Sequence, residues 1–133
     1  MMEAVLRAGV RLAEALDAEN RALAALDLDT AVAVAASKSE AASAFIAARD
    51  AASRAGARVE GQQRTLAEQL GHRLEGLSSE NRRLLERAIT LQAQVIETIA
   101  GAALPAAGPG TYSRLGERRA PVAPAALAFA ARV

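Results

Sequence analysis

The chain has 133 residues and a formal net charge of +1, from 16 Lys+Arg against 15 Asp+Glu, a size that favours one domain. It is 52% hydrophobic, but 36 of those residues are alanine and only two Phe and one Tyr are present; such a chain buries a thin seam rather than a deep pocket, which argues against a conventional small-molecule enzyme. The absence of Cys excludes disulfides and Cys-based zinc sites, and the near-zero net charge leaves no footprint for nucleic acid.

The first 100 residues contain no proline, and an Ala-rich, Pro-free stretch of that length reads as helix. A first helix is expected from about Glu3 to Leu28. Its larger apolar residues Val5, Leu12, Leu16, Leu23 and Leu26 form a heptad-like seam whose gaps are filled by Gly9 and Glu19. The segment Leu26-Asp-Leu-Asp-Thr30 supplies a stop, with Asp29 or Thr30 placed to cap the next helix. A second helix follows from Thr30 to about Ala55, with its seam at Ala31, Val34, Lys38, Ala41, Phe45, Ala48 and Ala52. Gly56 and Gly61 bracket the turn after it, where glycine is expected.

If these two helices form an antiparallel hairpin turning between Leu28 and Asp29, facing residues have numbers that sum to 57. Leu23 then meets Val34, Leu16 meets Ala41 and Leu12 meets Phe45, so large side chains face small ones. The same register sets Glu19, the one acid in the first seam, against Lys38, the only lysine in the chain. Two outcomes are open at this point. Both side chains reach solvent along their own stems, or they pair inside and fix the register more than they add stability.

The third helical stretch runs from about Gln62 to Ala100, with Leu66, Leu70, Leu77, Leu84, Leu91 and Val95 on one line. Gly71 and Gly76 weaken it and Ser78 and Ser79 could cap a fresh start, so a break near 76–79 would give a fourth helix folding back on the other three. Unbroken, this helix is about 58 Å long, against about 39 Å for the second, and its last turns overhang the hairpin. Residues 84–99 hold three of the four isoleucines, Ile89, Ile96 and Ile99, together with Leu84, Leu85, Leu91 and Val95. Apolar surface in excess of internal demand points to a partner.

All four prolines lie after residue 104, and residues 101–133 hold four basic residues and one acidic one, whereas residues 1–100 hold 12 and 14. The expected organisation is a helical body over 1–100 and an irregular Gly/Pro-containing tail over 101–133. The tail's end, with Pro124, Leu127, Phe129, Ala130 and Ala131, has the makings of a short helix that could shield the body's Ile/Leu surface. No signal core precedes the first charges, and no membrane-spanning run of about 20 apolar residues is expected, so the reading is cytoplasmic and without membrane insertion. His72 is the only histidine, which rules out a two-His metal centre. There is no phosphate-binding or nucleophile-elbow glycine motif. The pairs Arg82–Arg83 and Arg118–Arg119 read as solvated faces. No catalytic, cofactor or metal residue is assigned.

The order of features resembles the FlgN-type flagellar export chaperones over roughly residues 3–116. The likeness is carried by Leu16, Glu19, Leu23 and Leu26 on the first helix, Lys38 on the second, and Asn81-Arg-Arg-Leu-Leu85 with Leu91-Gln-Ala-Gln-Val-Ile96 on the third. After a Gly/Pro-rich break comes Thr111-Tyr112-Ser113-Arg114-Leu115-Gly116. The resemblance implies a non-enzymatic helical chaperone that binds the C-terminal helical segments of hook–filament junction proteins and passes them to the type III export apparatus. It places Leu84, Leu85, Leu91, Val95, Ile96 and Ile99 against the client, and Tyr112 against the membrane protein of the export gate. The residues taken without the resemblance also fit an Ala-rich amphipathic structural or granule-associated coiled-coil protein, and so thin a seam leaves homodimerisation through 84–99 open.

Overall fold

A computed structural model describes residues 1–103 of the chain. They form three helices and no strand: α1 (Met2–Ala24), α2 (Leu28–Arg54) and α3 (Gln62–Ala103). The expected all-α architecture of a hairpin plus a long third helix is the one found. The alternative fourth helix is not, because α3 is continuous through Gly71 and Gly76. A methyl group added at either glycine would touch nothing within 4 Å, so both glycines lie on the outer face. Each costs roughly 1 kcal/mol of helix propensity, whereas a break there would interrupt the buried stripe that runs on through Asn81, Leu84 and Ala88.

The two turns use the same backbone device. At the end of α1, Asp27 N donates to Ala22 O at 2.9 Å and Leu26 N to Leu23 O at 3.0 Å. At the end of α2, Ala57 N donates to Ala52 O and Gly56 N to Ser53 O, both at 3.0 Å. This pair of bonds satisfies carbonyls left over at a helix end and needs one residue in the left-handed region. Gly56 fills that position with φ +68°, and Leu26 fills it with φ +57°. Leu26 therefore does not extend the seam of α1, as expected from the sequence; it lies beyond the helix end.

Because α1 stops early, α2 starts early, and its cap is Asp27 rather than Asp29 or Thr30. Asp27 Oδ1 accepts from Thr30 N at 3.2 Å, and Oδ2 accepts from Thr30 Oγ1 at 2.6 Å. These bonds, the hydroxyl's first and the amide's second, hold the Asp27 carboxyl below its usual range.

α1 is the central helix. It packs along both α2 and α3, while the backbones of α2 and α3 stay apart and meet only through side chains. At Gly9 an added methyl would sit 2.6 Å from Leu70 Cδ2 and 3.3 Å from Phe45 Cε2, so the missing side chain lets both neighbours close on α1 at one level. The expected seam of α2 is confirmed, since Ala31, Lys38 and Ala52 are buried and Val34, Ala41, Phe45 and Ala48 are partly so. The expected line on α3 needs one correction. Leu66 is exposed, and Ala67 and Leu74 join the expected Leu70 and Leu77 on the stripe in its place.

The core proper lies near the hairpin turn, where Ala22, Leu23, Ala31, Leu84, Leu85 and Ala88 pack together with Leu28, Ala35 and Ile89 beside them. α2 is also long and apolar enough, by length and composition alone, to cross a bilayer, with a mean hydropathy of 1.2 over its most apolar window. That corrects the expectation that no such run exists. The hydropathy comes chiefly from alanine, and the helix carries Lys38, whose ammonium is paired inside the bundle.

Candidate functional site

Two features stand out from the packing: a sealed polar cluster at mid-height and an apolar face above it. The cluster takes one or two residues from each helix. Lys38 Nζ donates to Glu19 Oε1 at 2.8 Å and to Asn81 Oδ1 at 3.2 Å. Asn81 Nδ2 lies 2.7 Å from Glu19 Oε1 and 2.8 Å from Asn20 Oδ1, and Asn20 Nδ2 donates to Leu77 O at 3.1 Å.

Glu19 and Lys38 are both 0% exposed. The expected meeting of Glu19 with Lys38 is thus realised, and of its two outcomes the buried pair is the one observed; the turn itself lies at residues 25–27 rather than between Leu28 and Asp29, and Phe45 packs at the level of Gly9. An isolated buried charge costs several kcal/mol, and pairing through Oε1 offsets only part of that cost, since Glu19 Oε2 is buried without a hydrogen-bond partner. What the cluster adds is uniqueness. Sliding any one helix by a turn would strand a charge or an amide in the apolar interior.

The sequence reading missed Asn20 as a partner and noted Asn81 only through the family resemblance. A signal for Asn81 was present, since it is the one polar residue on the stripe Leu77–Asn81–Leu84–Ala88, as Glu19 and Lys38 are on theirs.

The same contacts fix the relative height of α1 and α3. Gly9 lies against Leu70, and Glu19 bonds to Asn81, so the two helices run parallel with an offset of 61 to 62 in residue number. Leu26 at the hairpin turn therefore stands level with residues 87–88 of α3. Ala88 is the last buried residue of α3 among those described, and the roughly 15 residues beyond it project past the hairpin by about 22 Å. The expected overhang is present.

On the helical wheel, Ala88, Gln92, Val95 and Ile99 follow one another at steps of four and three on the side that, lower down, faces α1. There the stripe opens: Gln92 is still partly buried, and Val95 and Ile99 are 56% and 62% exposed.

Of the six residues expected to face a client, the structure divides the set. Leu84 and Leu85 are core residues, because they lie below the turn where α1 and α2 still cover α3; they do not belong to a free surface. Leu91 and Ile96 are partly buried, and Val95 and Ile99 are exposed. Tyr112 and the terminal segment around Phe129 lie outside the described residues.

A groove of about 500 Å³ between α1 and α3, lined by Leu16, Ser78, Asn81, Arg82, Leu85 and Ile89, leads from the polar cluster up to the base of the overhang. A second, of about 420 Å³ at the opposite end, contains the exposed Leu66 and Val10. On the outer face of α3, Arg83 bonds Glu80 at 2.6 Å, which lowers the Glu80 pKa and raises that of Arg83. No group of three or more His, Cys, Asp or Glu side chains converges among the described residues. The chain matches no family model, and no curated protein or solved structure shows significant similarity to it.

Proposed function

We propose that this protein is a cytoplasmic chaperone of the FlgN type, which holds the C-terminal helical segment of a hook–filament junction protein along the distal part of α3 and delivers it to the type III export apparatus. One observation carries the reading. The stripe that faces the core below Ala88 continues in phase above it, and Val95 and Ile99 stand open to solvent. A partner helix laid on that stripe would extend the packing the hairpin provides lower down, as in helix-in-groove recognition. Leu91 and Ile96 flank the stripe and would complete the contact. Tyr112, placed by the family resemblance, would serve the later contact with the membrane protein of the export gate.

The test is a titration of hook–filament junction proteins against the full chain and its Val95→Asp/Ile99→Asp variant. Stoichiometric binding that the double variant abolishes supports the reading, and wild-type affinity in that variant refutes it. A second reading, a self-associating Ala-rich structural or granule-surface protein, is favoured by α2. Its outer face carries the exposed Val32 and Ile46 amid alanine and serine. That reading expects large homo-oligomers or granule binding in place of a junction partner.

A further inference from the structure

We infer that the hairpin turn is the floor of the same site: Leu26 and its flanking carboxylates Asp27 and Asp29 receive the basic C-terminal end of an amphipathic helix that lies antiparallel along the Leu91–Ile99 wall of α3. This rests on the reading of distal α3 as a partner surface and adds the occupant's chemistry, length and direction.

The first argument is position. The offset between α1 and α3 puts Leu26 level with residues 87–88, where the covered stripe ends and the uncovered one begins. Turn and overhang therefore form a step, and the wall above the floor is about 22 Å high, the length of a helix of about 15 residues. The stripe on the wall is continuous with the α1–α3 interface below it, so a helix standing on the floor continues the line of the hairpin.

The second is the identity of Leu26. A non-glycine residue in the left-handed region is strained, and Gly56 performs the same backbone task at the other turn without that strain. Leu26 returns little to the fold in exchange, because it is 52% exposed. What it provides, and glycine would not, is an apolar side chain on top of the hairpin beside the wall.

The third is charge. Asp27 and Asp29 are exposed on either side of the turn, and neither forms an ion pair among the described residues. The partial charges of the α1 C-terminus and the α2 N-terminus oppose each other there, and with Arg87 exposed at the same height on α3 the level keeps one negative charge in excess. The wall carries one charged side chain, Glu97. The complementary ligand is an apolar-striped helix with Lys or Arg at one end. Helices favour cations in their last turn, so that end is the C-terminus and the helix runs antiparallel to α3.

The test uses the full-length chain and two fluorescent synthetic helices of about 16 residues with identical Leu/Ile stripes, one ending in Lys-Lys and the other in Glu-Glu. The Lys-ended peptide is expected to bind at least about fivefold more tightly, a difference of about 1 kcal/mol. Asp27→Asn/Asp29→Asn is expected to erase that preference while keeping a capping side chain at 27.

Leu26→Gly is the decisive variant, because relief of the left-handed leucine keeps the fold intact. Its unfolding midpoint is expected to equal or exceed that of the wild type while its affinity for the Lys-ended peptide falls at least about fivefold. Wild-type affinity in Leu26→Gly, or no preference between the peptides, overturns the floor and leaves the wall standing. Binding that survives Val95→Asp/Ile99→Asp overturns the wall, and the proposed function with it. If neither peptide binds, the occupant named here is wrong; a dimer dissociated by Val95→Asp/Ile99→Asp would then identify a second copy in its place.

Discussion

Residues 62–87 and 88–103 belong to one uninterrupted helix and share one stripe, yet their surroundings differ sharply. The lower part carries nine Lys, Arg, Asp and Glu side chains, and the upper part carries one, Glu97. Below, charge on the outer face accompanies an inner face packed on α1, partly buried from Ala67 to Leu77 and fully buried at Asn81, Leu84, Leu85 and Ala88. Above, the inner face is open and the outer face is also nearly uncharged. A helix that is polar on one side has its burial partner already, whereas one that is apolar or neutral all round is built to be covered. The lower half serves the fold, and the upper half is surplus to it.

The comparison breaks first at the polar cluster, which belongs wholly to the lower half. Lys38→Met leaves the Glu19 carboxylate buried without its ammonium partner, and is expected to destabilise the chain by roughly 3–5 kcal/mol in denaturant unfolding. Glu19→Leu/Lys38→Met removes both charges and is expected to recover much of that loss. Asn81→Leu should fall between them, since it strips hydrogen bonds from Glu19, Asn20 and Lys38 together. A Lys38→Met variant as stable as the wild type would mean the pair is not sealed.

The next contrast sets one leucine against one isoleucine on the same helix. Leu84→Ala removes a buried side chain and should cost about 2–5 kcal/mol. Ile99→Ala, 15 residues further on, should change stability by no more than about 0.5 kcal/mol, because Ile99 is 62% exposed and no described residue is packed over it. Equal losses at the two positions would show that the upper half is covered within the molecule, and the division drawn above would disappear.

How much of this was legible in the sequence depends on which interactions are local. The Glu19–Lys38 meeting was readable because only one lysine and one seam glutamate exist, although the turn that joins their helices lies a few residues earlier than the sequence suggests. The Gly56 turn was readable because glycine is the common solution there. The burial of Leu84 and Leu85 was not, since it depends on how high α3 sits against α1. That height is set by the connection after α2 and by the meeting of Gly9 with Leu70, neither of which any propensity encodes. Leu26 reads as a seam residue for a similar reason, because nothing in a Leu-Asp-Leu-Asp pattern marks a left-handed leucine. The continuity through Gly71 and Gly76 became clear only once the stripe was known to pass through Leu74 and Asn81, which turns both glycines outward.

Those two glycines offer a smaller test confined to the lower half. Gly71→Ala and Gly76→Ala each place a methyl group in open space and raise helix propensity. Each should therefore stabilise the chain by roughly 0.5–1 kcal/mol, with near-additive effects in the double variant. A loss of stability at either would mean that α3 needs a bend there. Affinity for the proposed helical partner should be unchanged, because the stripe above Ala88 is not touched.

The smallest effect concerns the cap of α2 and is read from pH. Hydrogen bonds from Thr30 hold the Asp27 carboxyl below its usual range in the folded chain, so the folded state binds that proton less readily than the unfolded one. A depressed carboxyl contributes stability that is fully present above the unfolded pKa, near 4, and is lost as pH falls through the lower folded value. Asp27→Asn keeps a capping oxygen but cannot titrate, so the acid limb of its stability curve should be shallower than that of the wild type. Asp27→Ala should lower stability at neutral pH and flatten the limb as well. Thr30→Val, which deletes the hydroxyl bond but leaves the amide, brings the folded Asp27 carboxyl back toward its usual range, so its acid limb should be shallower than that of the wild type, by less than in Asp27→Asn. An acid limb identical in all four proteins would mean that the cap is not held by these bonds in solution.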